Sequence, residues 1–224
     1  MKNLSRLFAI LICCTMAVSL TSCLGTDDDS GIDAETYQKW LSQMSGTYYG
    51  GTSYQTKNRV YFINDTITDK NNKNKLDSIT GITASYYKGD STIVVNGISG
   101  RVLAKEIKDN DALKKALEEA YSPTLKAKFV IYNILNSNIA YYLAYPYDIT
   151  YPELKYNGET HKVSFKLYSP AIGAYQYTAN AELNVIDFYV LGVYVDDKLA
   201  YTICDNTNNE DQMKKAFLEV VVGR

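Results

Sequence analysis

Very few residues in this chain could carry out chemistry. Nucleophilic catalysis needs a base within hydrogen-bond reach of a serine or cysteine, usually a histidine. The sequence holds one histidine, His161, just after the turn Asn157-Gly158, and no Gly-x-Ser-x-Gly elbow to present a serine. A pair of Cys204 and His161 is the remaining combination. Against it, Cys204 ends the run Leu199–Cys204, which reads as a strand with a buried structural thiol, and a histidine beside a hairpin turn is expected to face solvent. Zinc wants four ligands rich in His or Cys, more than this chain supplies. An EF-hand needs glycine sixth and glutamate twelfth; counted from Asp69 these are Asn74 and Thr80, and from Asp205 they are Glu210 and Ala216. Asp196 and Asp197 suit a tight hairpin turn, with a shared-loop calcium site as the alternative. Among 25 acidic residues some pair will always meet the spacing of a glycosidase, so that spacing selects nothing. No loop has a phosphate-cradling glycine pattern. The sequence assigns no catalytic residue, no metal and no cofactor.

Tyrosine is the other conspicuous chemistry, at 21 residues against six phenylalanines and one tryptophan. Its ring suits a half-buried strand while the hydroxyl stays wet. Ile139, Tyr141, Leu143 and Tyr145 fall on one strand face. Tyr147, Tyr151 and Tyr156 follow through Tyr145-Pro146 and Tyr151-Pro152, pairs that favour a cis bond and a rigid turn. Exposed, these five tyrosines (141, 145, 147, 151 and 156) could stack on sugar rings or form a protein hot spot. The alternative is that they line the core and the sheet surface.

The elements that must position these residues are mostly strands. Three helices are expected. In the first, Asp33 is the N-cap, Tyr37, Trp40, Leu41 and Met44 form the stripe, and Gly46 is the stop. In the second, Asp109 or Asn110 opens the helix, Leu113, Ala116, Leu117 and Ala120 share a face, and Ser122-Pro123 closes it. The third follows the Asn206–Asn209 loop with Met213, Ala216, Phe217 and Val220. Strands are expected at Thr47–Gln55, Arg59–Asp65, Ser78–Tyr87, Thr92–Asn96, Arg101–Ile107, Ala127–Leu135, Ile139–Tyr145, His161–Tyr168, Gln176–Leu183, Val185–Val195 and Leu199–Cys204. Lys88-Gly89-Asp90, Asn96-Gly97, Asn157-Gly158 and Asp196-Asp197 read as hairpin turns, and Asp69–Lys75 as a polar loop. The fold class is therefore mainly β with helices (α+β): an antiparallel sheet folded as a sandwich or partly open barrel, with three helices packed on or beside it. Leu103–Glu119 and Leu199–Glu219 echo each other in sequence, which two duplicated halves, about 33–124 and 125–224, would explain.

Residues 1–22 read as a leader: Lys2 and Arg6 are its positive region, Leu7–Leu20 its apolar region, and Thr21-Ser22 the small residues before a cut. Fourteen apolar residues fall short of the roughly 20 that span a bilayer. Leu20-Thr21-Ser22-Cys23 resembles the lipobox of bacterial lipoproteins, which implies acylation of Cys23 and a membrane anchor. Residues 23–32 then form a flexible acidic tether, and 33–224 a single β-rich domain. Asp27, Asp28 and Asp29 resemble the surface-export signal of Bacteroidota lipoproteins. That implies a place on the outer face of the outer membrane, with a periplasm-facing anchor as the alternative. Asp65-Thr66, Asp77-Ser78 and Asp90-Ser91 resemble the O-glycosylation site of exported Bacteroidota proteins, which makes Thr66, Ser78 and Ser91 candidates for sugar.

Losing Lys2 and Arg6 with the leader takes 23 basic residues to 21 against 25 acidic, a net charge of −4. With no basic stripe, nucleic acid is an unsuitable partner. The mature chain would keep Cys204 as its one free thiol, so no internal disulfide is expected. Gly192-Val193-Tyr194-Val195-Asp196-Asp197-Lys198-Leu199, with the strand-rich region Gly97–Cys204, resembles a family of Bacteroides lipoproteins known only as a domain of unknown function. That resemblance implies location and fold and brings no activity. The leading expectation is a non-enzymatic module that binds a protein or glycan partner. The alternatives are a carrier enclosing a small apolar or aromatic ligand, and a hydrolase built on two facing carboxylates with one pKa raised.

Overall fold

The computed structural model describes residues 31–51, 57–64, 78–204, 207 and 216–224. Three α-helices and thirteen strands occur among them. These are α1 (Ala34–Met44), β1 (Gly46–Tyr48), β2 (Arg59–Asn64), β3 (Ser78–Thr80), β4 (Thr83–Tyr87), β5 (Thr92–Asn96), α2 (Gly100–Leu103), a 3-10 turn (Ala104–Glu106) and α3 (Asp111–Glu119). Then come β6 (Leu125–Asn136), β7 (Ile139–Pro146), β8 (Ile149–Tyr156), β9 (Glu159–Leu167), β10 (Ala171–Thr178), β11 (Ala181–Val195), β12 (Lys198–Thr202) and β13 (Ala216–Gly223). The α+β class holds.

The sheet runs β1-β4-β5-β6-β7-β10-β11-β13-β2-β3, all antiparallel, and is not closed into a barrel. Its branch point is β11. Residues 183–187 of that strand lie between β10 and β13, and residues 192–195 between β9 and β12, with a register shift between Val190 and Gly192. Gly192 permits this junction, because a Cβ there would come within 2.8 Å of the Tyr201 carbonyl oxygen. β8 pairs outside β9, so the branch is a four-stranded ribbon, β8-β9-β11-β12.

The two ends of the main sheet meet at a seam. β3 passes through Gly81 (φ +87°) directly into β4, so the last strand of one end leads into the other. Asn58, 2% exposed, spans the gap. Its Nδ2 donates to the carbonyls of Tyr48 (2.7 Å) and Ile82 (2.8 Å), and its Oδ1 accepts from the Gly223 amide (2.8 Å).

Asp33 caps α1 as expected, accepting from the Thr36 amide at 2.8 Å, and Trp40, Leu41 and Met44 are buried. Trp40 meets Tyr175 edge-on at 5.9 Å. At the other end of α1 the Arg224 guanidinium donates to the carbonyls of Gln43 and Ser45 and pairs with Glu182. Asn110 opens α3 by accepting from the Leu113 amide, with Leu113 and Leu117 buried. Inside the curl of the main sheet Tyr48, Tyr86, Phe129 and Tyr142 pack edge to face, with centroids 5.3–6.1 Å apart. The hydroxyls of Tyr86 and Tyr142 bond to each other at 2.9 Å.

Several expectations are corrected. Arg101–Ile107 is not a strand: Val102, Leu103 and Ala104 are buried in succession on one helical turn, which α2 and the 3-10 turn provide. Ser99 caps that turn, so Asn96-Gly97 leads into a helix rather than a hairpin. Residues 216–223, the end of the expected third helix, form β13 between β11 and β2. The β-branched run Val220-Val221-Val222, buried on both faces, outweighs the helical spacing of Phe217 and Val220. Met213 lies outside the described residues, as do Asp69–Lys75. Ser78–Tyr87 is divided at Gly81, and Gln176–Leu183 contains the turn between β10 and β11. β12 ends at Thr202, short of Cys204. The echoing segments Leu103–Ile107 and Leu199–Ile203 thus take different local structures.

Candidate functional site

A groove of about 250 Å³ lies on the outer face of the ribbon, lined by Asp148, Thr150, Lys162, Ser164, Lys166, Tyr194 and Asp197. Strand alternation produces it. Ile149, Tyr151, Val163, Phe165 and Val193 point inward and are buried. Their alternates Thr150, Lys162, Ser164, Lys166 and Tyr194 point outward. Thr150 is opposite Ser164, Ser164 opposite Tyr194, and Tyr194 opposite Leu199, so these four residues form one row across the ribbon.

The lining side chains hold one another. The hydroxyls of Thr150 and Ser164 are 3.1 Å apart. Lys162 Nζ donates to Asp197 Oδ1 at 2.7 Å, and Lys166 Nζ pairs with Asp148. The hydrogen bond and charge of Asp148 raise the Lys166 pKa above its ordinary value. Lys166 Nζ also sits 5.8 Å from the centre of the Tyr194 ring. Two hairpins fix the end of the groove. Asn157-Gly158 and Asp196-Asp197 are two-residue turns with all four φ values positive, from +51° and +81° to +50° and +61°. Asp196 accepts from the Lys162 amide (3.0 Å) and bonds His161 Nδ1 (2.7 Å), and the His161 hydrogen bond chiefly lowers its carboxyl pKa.

His161 is therefore not the solvent-facing residue expected. Its side chain is 16% exposed, lying under the Tyr156 ring at 4.3 Å. Cys204 is buried, with its amide bonded to the Leu191 carbonyl, whereas His161 bonds Asp196. Leu191 and Asp196 are five residue steps apart along β11 and into its turn, about 16 Å at strand rise, so the two do not form a nucleophile–base pair. Asp196 and Asp197 are engaged by His161 and Lys162. Among the described residues no three His, Cys, Asp or Glu side chains converge.

The five candidate tyrosines separate. Tyr145 (43%) and Tyr147 (58%) are exposed. Tyr147 directly precedes Asp148 of the groove. Tyr141 is covered on the outer face of the main sheet among Tyr132, Ile139, Ile172 and Ala174. Tyr151 is fully buried, between Tyr121 and Phe165, and so withdrawn from the surface. Tyr156 covers His161. The peptide bond that is cis is Ser169-Pro170, and neither Tyr-Pro bond is. Pro152 instead falls where β8 shifts register between Tyr151 and Leu154. Ser91 (φ +50°) is half-buried in the β4–β5 turn, and Ser78 begins β3. Cys23, Asp27, Asp28, Asp29 and Thr66 lie outside the described residues.

Two facing acids with raised pKa do exist. Asp187 and Glu219 are register partners on β11 and β13. Burial pushes both carboxyls up, the charge of Glu219 adds to this at Asp187, and Arg59 offsets part of it at Glu219. They belong to the main sheet, and neither lines the groove.

The described residues thus define a branched antiparallel α+β protein with a polar groove on its four-stranded ribbon. The chain belongs to the family described as a domain of unknown function (DUF4840), which matches residues 43–195. The match runs from the last two residues of α1 through β11, and with it most of the groove. No curated protein and no solved structure matches the chain.

Little in the sequence pointed to the groove. The alternation His161-Lys162-Val163-Ser164-Phe165-Lys166 was its signal, but the groove exists only once β8 lies beside β9, and Pro152 masked β8.

Proposed function

We propose that this chain is a non-enzymatic binding module, lipidated at Cys23 and held by its acidic tether at the outer membrane, facing the cell exterior. The observation that carries the binding reading is the groove itself. Polar side chains on three strands are fixed by mutual ion pairs and hydroxyl contacts over a packed sheet, so little side-chain entropy remains to be lost when a partner docks. Exposed Tyr147, directly before Asp148 of the groove, offers a ring with a polar hydroxyl beside it in sequence. The anchor reading is supported by the residues around Cys23, and two or more acyl chains would make attachment effectively permanent.

Two experiments test these parts separately. Native chain should partition into detergent and be cut by protease added to intact cells, and the Cys23→Ser variant should partition into water. Glycan and peptide arrays probed with the mature chain should give a ligand whose retention is lost in Lys162→Ala/Lys166→Ala. Retention unchanged by that double variant would remove the groove from the binding role.

A further inference from the structure

We infer that the ribbon groove is a subsite for one neutral sugar ring, a pyranose presented at the end or along the side of a glycan. The inference rests on the binding-module reading and gives it a ligand class. Three observations carry it.

The first is charge. The groove is lined by two lysines and two aspartates, and each lysine is already joined to a carboxylate, Lys166 to Asp148 and Lys162 to Asp197. An anionic or cationic polymer would have to displace one of these pairs. A neutral polyol can bond to both members, since each pair keeps unused ammonium hydrogens and carboxylate lone pairs.

The second is the order of side chains across the ribbon. The row Thr150, Ser164, Tyr194, Leu199 passes from two hydroxyls to an aromatic ring and then to an aliphatic side chain that is 54% exposed. A pyranose has the same two-sided character, with hydroxyls at its rim and a C–H face that packs on an aromatic ring. Thr150 can present its hydroxyl to a sugar oxygen, held from beneath by the Ser164 hydroxyl, a residue only 7% exposed.

The third is size. About 250 Å³ admits one sugar ring and little more, and the groove is open to solvent, so the rest of a glycan can extend away from it.

The test uses the isotope-labelled mature chain carrying Cys23→Ser, titrated with methyl glycosides of glucose, galactose and mannose, and with N-acetylneuraminic acid as the anionic comparison. At least one neutral glycoside should shift the backbone amides of Thr150, Lys162, Ser164 and Tyr194 in a saturable way. Loss of the aromatic platform in Tyr194→Ala should weaken that affinity about tenfold, and the acid should not shift these amides. Thr150→Val, which keeps the side-chain shape, should also weaken binding, and it serves should Tyr194→Ala not fold. Three results would overturn the inference. The acid could bind the groove as well as the neutral sugars do. Shifts could centre on Tyr145 and Tyr147, which would leave a glycan-binding module with its site elsewhere. Or no sugar could shift any amide, after which the peptide array decides whether the binding-module reading survives.

Discussion

Replacing Asn58 with leucine removes the seam of the main sheet while keeping the same branched skeleton of side-chain heavy atoms. The wild-type amide makes three hydrogen bonds of 2.7–2.8 Å to backbone groups from three separate segments, at a site 2% exposed. In Asn58→Leu the Gly223 amide is left facing an apolar group, which costs about 1–3 kcal/mol. The carbonyls of Tyr48 and Ile82 each lose a bond with a net value of about 1 kcal/mol. The expected loss is about 3–5 kcal/mol, a large part of the roughly 5–15 kcal/mol that holds a typical domain folded. Urea unfolding should show a lower midpoint with an unchanged slope, because the surface exposed on unfolding is the same. Hydrogen exchange should quicken first at Gly223 and in β1 and β4. A loss below about 1 kcal/mol, or faster exchange spread evenly over the molecule, would refute the view that Asn58 joins the sheet ends.

Gly173→Ala should be among the most damaging single-methyl additions, since the new Cβ would lie 2.2 Å from the ring of buried Tyr142; a cost of about 3 kcal/mol or more is expected in the same urea assay. Asp187 gives a pH dependence. Its pKa is raised in the folded chain, so the folded state binds more protons than the unfolded, and stability falls as pH rises from about 4 through the folded pKa. Asp187→Asn should therefore raise the unfolding midpoint at neutral pH and leave it nearly unchanged near pH 4; equal effects at both would contradict the burial argument. In His161→Phe, which keeps a ring beneath Tyr156, the Asp196 carboxyl should titrate closer to its ordinary value, because the His161 hydrogen bond is the first cause of its depression. A carbon-detected titration of Asp196 measures this, and an unmoved midpoint would mean the Lys162 amide dominates.

Local signals in the sequence carried the helix ends well and the sheet plan poorly. Asp33 and Asn110 cap where their side-chain chemistry says they should, because a cap needs only neighbours three residues away. Asn157-Gly158 and Asp196-Asp197 were legible for the same reason. β8 was hidden by Pro152, which the ribbon accommodates by a register shift that no local pattern announces. Residues 216–223 carry both a helical stripe and a β-branched run, and the choice is made by β11 and β2 on either side. The groove suffers most from this. Its residues come from the link before β8, from β8, β9 and β11, and from the turn after β11, and none is unusual for such a position until the register brings Thr150, Ser164 and Tyr194 into line.

The shared strand β11 has a consequence for how the molecule opens. Nine of its fifteen residues have a paired strand on both sides, β10 and β13 at residues 183–187 and β9 and β12 at residues 192–195. Detaching the ribbon strips the flanks from the far half of the strand that also centres the main sheet, and loosening the main sheet does the same in reverse. The two parts lack a boundary at which one could melt alone. β11 amides on either side of Gly192 should therefore exchange with solvent through one common, global event, and the ribbon groove should keep its shape up to the temperature at which the whole chain unfolds.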